Sequence, residues 1–133
     1  MIVLDEHILD VKLRDDIAQW YPGAVCWVTD LRPGTVIKDE QIPGLLRQQR
    51  QPTFVTINER DFWLRTQADK SFCAICFRLT DLNLRDLPSR LRQVLSLPMF
   101  STKTRRMGHV IRVTTEGVSY YTSSDRQVKA LNW

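Results

Sequence analysis

The sequence lacks an apolar run long enough to cross a membrane. A transmembrane helix needs about 20 consecutive apolar residues, and charged side chains interrupt every stretch of that length in these 133 residues. A secretory signal peptide is not expected either, because the first twenty residues carry five acidic side chains. We therefore expect a cytoplasmic protein that does not associate with a membrane.

Cysteine is also scarce, and its three copies are an odd number that does not suit a closed disulfide framework. This count favours a reducing compartment. Cys73 and Cys76 have the spacing of redox or zinc motifs, but they lie inside the apolar run 72–77. On a strand these two positions point to opposite faces, so we interpret both thiols as core side chains.

The phosphate-binding loop of nucleotide triphosphatases and the nucleophile elbow of hydrolases are both absent. Nucleotide triphosphate chemistry and acyl transfer therefore have no support in the sequence. What is present is an ordinary globular composition, 43% hydrophobic and 26% charged, without an internal repeat. This length and composition predict a single domain over residues 1–133.

Charge is distributed unevenly along the chain. Residues 1–70 hold nine Lys and Arg against eleven Asp and Glu, whereas residues 71–133 hold ten against four. The two parts therefore carry net charges of −2 and +6. A basic surface attracts polyanions such as RNA, although it is equally typical of a surface that only keeps the protein in solution.

Short apolar runs alternate with amphipathic stretches. Ile2–Leu4 has no polar face, which is typical of a strand buried on both sides of a parallel sheet. Residues 110–113 and 118–122 flank Glu116-Gly117 and predict a β-hairpin. We therefore predict an α/β fold of three layers, with a mainly parallel sheet of order about 2-1-3-4 and a C-terminal hairpin. The other predicted strands are 24–28, 53–56 and 72–77, and the predicted helices have apolar stripes at Leu9, Leu13, Ile17 and Trp20, at Ile42, Leu45 and Leu46, and at Leu84, Leu87, Leu91, Val94 and Leu95.

Acidic residues stand where this fold would bring them to one edge of the sheet. Asp5 ends the first predicted strand, Asn58 and Asp61 follow the third, and Asp39 begins the helix between the second and third. Ligands of open α/β sheets bind at the carboxyl ends of the strands. Neighbouring carboxylates repel one another, so such a cluster is stable mainly when a cation neutralises it. Oxygen ligands without His or Cys favour Mg²⁺ or Mn²⁺, which suits phosphodiester chemistry.

Three short motifs, which follow one another along the chain, give it a resemblance to a known family. They are Leu4-Asp5-Glu6, Asp39-Glu40-x-Ile42 and Val55-Thr56-x-Asn58-x-x-Asp61-Phe62. With them the chain resembles the PIN-like domains, in particular the small bacterial PIN-like family grouped with toxin–antitoxin ribonucleases. The resemblance covers about residues 1–80; the helix, basic loop and hairpin of residues 81–133 lie outside it. The family's usual last motif is Asp-x-Asp-Phe, whereas here Asn58 replaces the first acid and one extra residue precedes Asp61.

This resemblance implies a Mg²⁺- or Mn²⁺-dependent endoribonuclease. It also suggests the toxin of a toxin–antitoxin module, which a partner protein would hold inactive. Asp5, Asp39 and Asp61 would be the catalytic residues and would hold the metal, with Asn58 as a neutral ligand or as a hydrogen-bond donor to phosphate. Asp39 would also orient the attacking water. Thr56 would contact the same network.

Other interpretations stay open at this point. The substitution at Asn58 favours a catalytically degenerate PIN-like module that binds RNA or a protein without cleavage. A phosphate-accepting receiver domain needs an Asp at the end of the third strand, where Thr56 stands. Lys103, Arg105 and Arg106 are the candidate RNA contacts, with a solvated loop or an acidic antitoxin as alternatives. A homodimer is expected from the frequency of such assemblies alone.

Overall fold

A computed structural model describes residues 1–78 and 83–131 of the chain. One sheet of seven strands in the order β2-β1-β3-β4-β5-β6-β7 runs through it. Neighbouring strands from β2 to β5 are parallel, and β6 and β7 are added antiparallel. The strands are β1 Ile2–Leu4, β2 Val25–Trp27, β3 Thr53–Thr56, β4 Cys73–Phe77, β5 His109–Val113, β6 Val118–Thr122 and β7 Lys129–Leu131.

The α/β class and the order 2-1-3-4 are confirmed for the first four strands. The predicted hairpin also exists, but it continues the sheet. Its first strand pairs in parallel with β4, with Ala74 opposite Val110. The seventh strand was not predicted, because its residues are mostly exposed and show no alternation of apolar and polar side chains. Backbone pairing to β6 and the packing of Leu131 against the core order this edge strand.

Helices connect the strands and pack on the sheet. They are α1 Val11–Trp20, α2 Val28–Leu31, α3 Ile42–Arg47, α4 Glu59–Phe62, α5 Leu87–Leu95 and α6 Lys103–Arg106, with short 3₁₀ helices at Glu6–Ile8, Asp39–Gln41, Leu84–Asp86 and Pro98–Phe100. Pro43 and Pro88 occupy first-turn positions of α3 and α5, where a missing N–H removes no helical hydrogen bond. No helix in the described ranges is long and apolar enough to span a membrane.

Two hydrophobic cores lie on the two faces of the sheet, because side chains alternate along each strand. Ile2 and Leu4 pack with α1 and α5 in one core, while Val3 packs with α3 in the other. The predicted strand without a polar face is therefore confirmed. Cys73 and Cys76 fall in different cores, and burial raises the pKa of the Cys73 thiol to about 12. Both thiols are buried and free, as predicted.

Two local predictions were wrong. Leu9 is 66% exposed and precedes α1, because the helix begins only at Val11, where the Asp10 carboxylate accepts a hydrogen bond from Lys12 N at 2.9 Å. The expected basic loop around residues 101–107 contains helix α6. The side chain of Thr102 caps this helix by accepting a hydrogen bond from Arg105 N at 3.1 Å.

Candidate functional site

Asp5 occupies the carboxyl end of β1 in the middle of the sheet. Its backbone N–H donates to Val55 O at 2.9 Å, which continues the pairing of β1 with β3. This extension keeps Asp5 in line with β1 beside β3, and the residue is 0% exposed. One carboxylate oxygen, Oδ1, has no hydrogen-bond partner in the described part of the chain. A buried carboxylate with an unpartnered oxygen destabilises the folded protein. A function therefore explains an acid at this position better than stability does.

A chain of hydrogen bonds links Asp5 to the residues that follow β3. The hydroxyl of Thr56 donates to Asp5 Oδ2 at 2.6 Å and accepts from Asn58 N at 2.9 Å. The Asn58 amide then donates to Asp61 Oδ2 at 2.8 Å. Two of the predicted acids are therefore connected through Thr56 and Asn58. Asn58 acts as a hydrogen-bond donor that orients Asp61.

Asp39 interacts electrostatically with both of these acids. Burial raises the pKa of the Asp39 carboxyl, and the negative charge of Asp61 raises it further. Burial is also the main cause of the raised pKa of Asp5, with a smaller contribution from the charge of Asp39. His7 opposes both shifts, because a positive charge there favours the ionised carboxylates. The three predicted acids thus interact electrostatically at one edge of the sheet.

A groove of about 670 Å³ opens beside this edge. Asp39 and Asp61 line it together with Arg47 and Arg65. Arg65 Nη1 lies 3.8 Å from Asp61 Oδ1, and Arg47 Nη1 lies 3.6 Å from Asp69 Oδ2. Both guanidinium groups are half or more exposed, so they remain accessible to an anion that enters the groove.

A Mg²⁺ or Mn²⁺ ion at this edge of the sheet would need oxygen ligands from the residues that lie there. Within residues 1–78 and 83–131, no three Asp, Glu, His or Cys side chains form a group that could hold a metal ion. Asp5, Asp39 and Asp61 therefore do not assemble a three-carboxylate cluster. Mg²⁺ needs only one or two protein carboxylates, because it keeps several of its waters. Asp5, whose Oδ1 has no partner among the described residues and which interacts electrostatically with Asp39, is the residue that a site of that smaller kind would use.

A second ionic cluster lies next to Asn58. Glu59 Oε1 is 3.7 Å from Arg112 Nη1 and 4.0 Å from Arg78 Nη2. The Arg112 guanidinium also stacks over Trp63 at 5.0 Å from the ring centroid. These contacts tie the start of α4 to β4 and β5. They hold the turn that carries Asn58 and Asp61 against the sheet.

The predicted RNA contacts lie at the opposite end of the sheet. Arg106 Nε donates to Thr53 Oγ1 at 2.7 Å, and Thr53 begins β3 whereas Thr56 ends it. Arg106 is also only 3% exposed, so it is a buried residue of α6. Lys103 and Arg105 are exposed on the same short helix. None of the three therefore shares an edge with Asp5, because α6 packs where the strands begin.

Sequence reasoning did not single out Arg47 and Arg65, the cations that do line the groove. Arg65 follows Asp61 at helical i,i+4 spacing, and this pattern was a usable signal. Arg47 had no such signal, because its position depends on how α3 packs beside α4.

No protein-family model matches the chain, and no curated protein and no solved structure matches it either.

Proposed function

We propose that the protein is a Mg²⁺- or Mn²⁺-dependent endoribonuclease with a PIN-like fold. The observation that carries the proposal is the fully buried Asp5 carboxylate, whose Oδ1 has no partner among the described residues. Its position at the carboxyl end of a central parallel strand is where ligands of such sheets bind. Hydrogen bonds through Thr56 and Asn58 connect it to Asp61 beside an open groove.

In this proposal Asp5 and Asp39 would hold the metal ion. When bound, such an ion activates a water molecule and stabilises charge on a phosphodiester. Thr56 fixes the Asp5 carboxylate by donating to Oδ2, which leaves Oδ1 for the ion. Asp39 orients the attacking water, since its raised pKa brings it closer to the range of a general base. Asn58 keeps Asp61 directed toward the same edge.

Arg47 and Arg65 would bind the backbone phosphates of the RNA. Both line the groove next to Asp39 and Asp61, and both are accessible to solvent. A guanidinium group forms paired hydrogen bonds to phosphate oxygens. The RNA would therefore lie along the groove, with the scissile phosphate near the two acids.

Cleavage of single-stranded RNA in the presence of Mn²⁺ tests the proposal. The wild type should degrade the RNA, and Asp5→Asn should reduce the rate by about 100-fold or more, as expected when a metal ligand is lost. Asp15→Asn is the matched control, because Asp15 is an exposed residue of α1 that forms an ion pair with Arg14 on the surface. Equal decay of RNA with the wild type and Asp5→Asn would reveal a contaminating nuclease and refute the proposal.

A binding module without catalysis is the second candidate. The described residues contain no group of three metal-binding side chains, and the Asn58 amide already occupies Asp61 Oδ2. Under this alternative the wild type and Asp5→Asn would bind RNA alike through Arg47 and Arg65, and neither would cleave it. Electrophoretic mobility shifts measured beside the cleavage assay separate the two functions.

Within the ribonuclease proposal the protein is the toxin of a toxin–antitoxin pair. Large apolar side chains stand three or four residues from each acid and are exposed, namely Leu9, Val36 and Leu64. Exposed apolar side chains are candidate contacts for a partner protein. Loss of RNA cleavage on addition of a co-purified partner, restored by Leu64→Ser, would support this assignment.

A further inference from the structure

A second cavity lies at the end of the sheet where the strands begin, away from the acidic groove. Its volume is about 540 Å³, which is within the range of small-molecule sites. It is formed between the C-terminus of α1 and the segment from α5 to α6. The basic residues Arg92, Lys103 and Arg106 line it, and none of its described lining residues is acidic.

Arg106 is the unusual member of this lining. It is 3% exposed, and no carboxylate of the described residues forms an ion pair with it. Its hydrogen bonds go to the neutral acceptors Thr53 Oγ1, Phe100 O and Tyr21 Oη, at 2.7, 3.2 and 3.2 Å. Guanidinium stays charged in proteins, and buried charges are normally paired. A buried arginine without a counter-ion, at the wall of a cavity, indicates a site for an anion.

The remaining donors of Arg106 are available for such an anion. The three bonds above use three of the five guanidinium N–H groups. The Tyr21 hydroxyl accepts from Arg106 and from Met1 N, so its own hydrogen has no acceptor among the described residues. Lys103, which is exposed, also has no ion pair in the described part of the chain. Three kinds of donor therefore converge without an acidic acceptor.

Part of the cavity wall is apolar and aromatic. The ring of Trp20 lies beneath the Arg92 guanidinium at 5.8 Å from its centroid, and Leu95 also lines the cavity. Such a wall accommodates a flat apolar group, whereas the arginine and lysine end accommodates a doubly charged phosphate. The two ends together are suited to one molecule that carries both groups.

We propose that this cavity binds a small phosphate monoester with a planar apolar group, of the class of a nucleoside monophosphate. The phosphate would bind Arg106, Lys103 and the Tyr21 hydroxyl, and the planar group would pack on Trp20. The site is separate from the acidic groove and independent of RNA cleavage. It also explains why a guanidinium group is retained in the interior without a carboxylate partner.

Titration of the ¹⁵N-labelled protein with adenosine 5′-monophosphate, phenyl phosphate, inorganic phosphate and adenosine tests this proposal by NMR. We expect saturable shifts at Tyr21, Thr102 and the Trp20 indole N–H with both monoesters, weaker binding of inorganic phosphate, and none of adenosine. Signals of Asp39 and Asp61 should not move. Tight binding of adenosine would refute phosphate recognition, and equal affinity for inorganic and phenyl phosphate would refute the planar-group contact.

Lys103→Gln should weaken binding of phenyl phosphate by about tenfold or more, because a charge-assisted hydrogen bond is lost. Lys103 is exposed, so this variant should fold even if Arg106→Gln does not. Arg105→Gln is the matched control from the same helix, since Arg105 donates to Pro98 O and does not line the cavity. Equal effects of the two variants, or a wild-type Kd weaker than about 10 mM, would overturn the proposal.

Discussion

The hydroxyl of Thr56 donates a 2.6 Å hydrogen bond to the carboxylate of Asp5, although 51 residues separate them in the sequence. Parallel pairing of β1 with β3 brings them together, since Leu4 and Val55 lie opposite each other in the sheet. Both side chains are fully buried. This contact holds one oxygen of Asp5 and leaves the other without a hydrogen-bond partner among the described residues.

Thr56→Val should destabilise the protein by roughly 1–3 kcal/mol at neutral pH, because it removes the hydroxyl that donates to a buried carboxylate. The variant keeps the shape of the side chain, so the loss in the free energy of unfolding can be attributed to the hydroxyl. Urea denaturation gives the free energy of unfolding. Thr56→Ser retains the donor and should lower the free energy of unfolding distinctly less. Equal decreases in the two variants would contradict the assigned hydrogen bond.

Asp5→Asn should raise the free energy of unfolding of the metal-free protein at pH 7 by about 1 kcal/mol, the order expected when a buried ionised oxygen is neutralised. The pKa of Asp5 is raised on folding, so the folded state binds a proton more tightly than the unfolded state. The stability that this proton supplies is fully present below the unfolded pKa and is lost as the pH rises through the folded pKa.

The difference between the wild type and Asp5→Asn should therefore widen as the pH rises from about 4 to about 7. Asp15→Asn, at an exposed position, should show no such trend. Denaturation at several pH values in EDTA measures the difference in the free energy of unfolding between the wild type and each variant. A wild type that gains stability relative to Asp5→Asn over this range would contradict the raised pKa of Asp5.

Excess Mn²⁺ should raise the melting temperature of the wild type, because an ion that binds only the folded state stabilises it. At a concentration of 100 times the Kd the gain is about 2.7 kcal/mol. Asp5→Asn should lose most of this gain, whereas Asp15→Asn should keep it. Scanning calorimetry in Mn²⁺ and in EDTA checks the prediction, and equal shifts in all three proteins would place the ion elsewhere.

Arg47→Gln and Arg65→Gln should each weaken RNA binding and lower the slope of log K against log salt by about 0.7, the value for one contact to a single-stranded backbone. Arg105→Gln should change neither quantity, since Arg105 lies on α6 at the other end of the sheet. Fluorescence anisotropy at several salt concentrations measures both. A larger effect of Arg105→Gln would show that RNA contacts helix α6 and would contradict binding in the groove.

The sequence by itself determined the central strands, the hairpin and the burial of their side chains. An uninterrupted apolar run at Ile2–Leu4 predicted a central strand, and residues 110–122 predicted the hairpin; both are present. The positions of Cys73 and Cys76 in different cores also followed from strand alternation alone. These features are local, because the period of apolar side chains in a segment shows which of its faces is buried.

Only the tertiary structure decided which side chains meet. The basic segment 103–106 looked like a surface that binds RNA, yet packing against Thr53 and Tyr21 buries Arg106 and turns α6 away from Asp5. The groove beside Asp39 likewise acquires Arg47 through the packing of α3. Such contacts join residues that are far apart in the chain, so their distances depend on the order of strands and the packing of whole elements. No local pattern in the sequence records those distances.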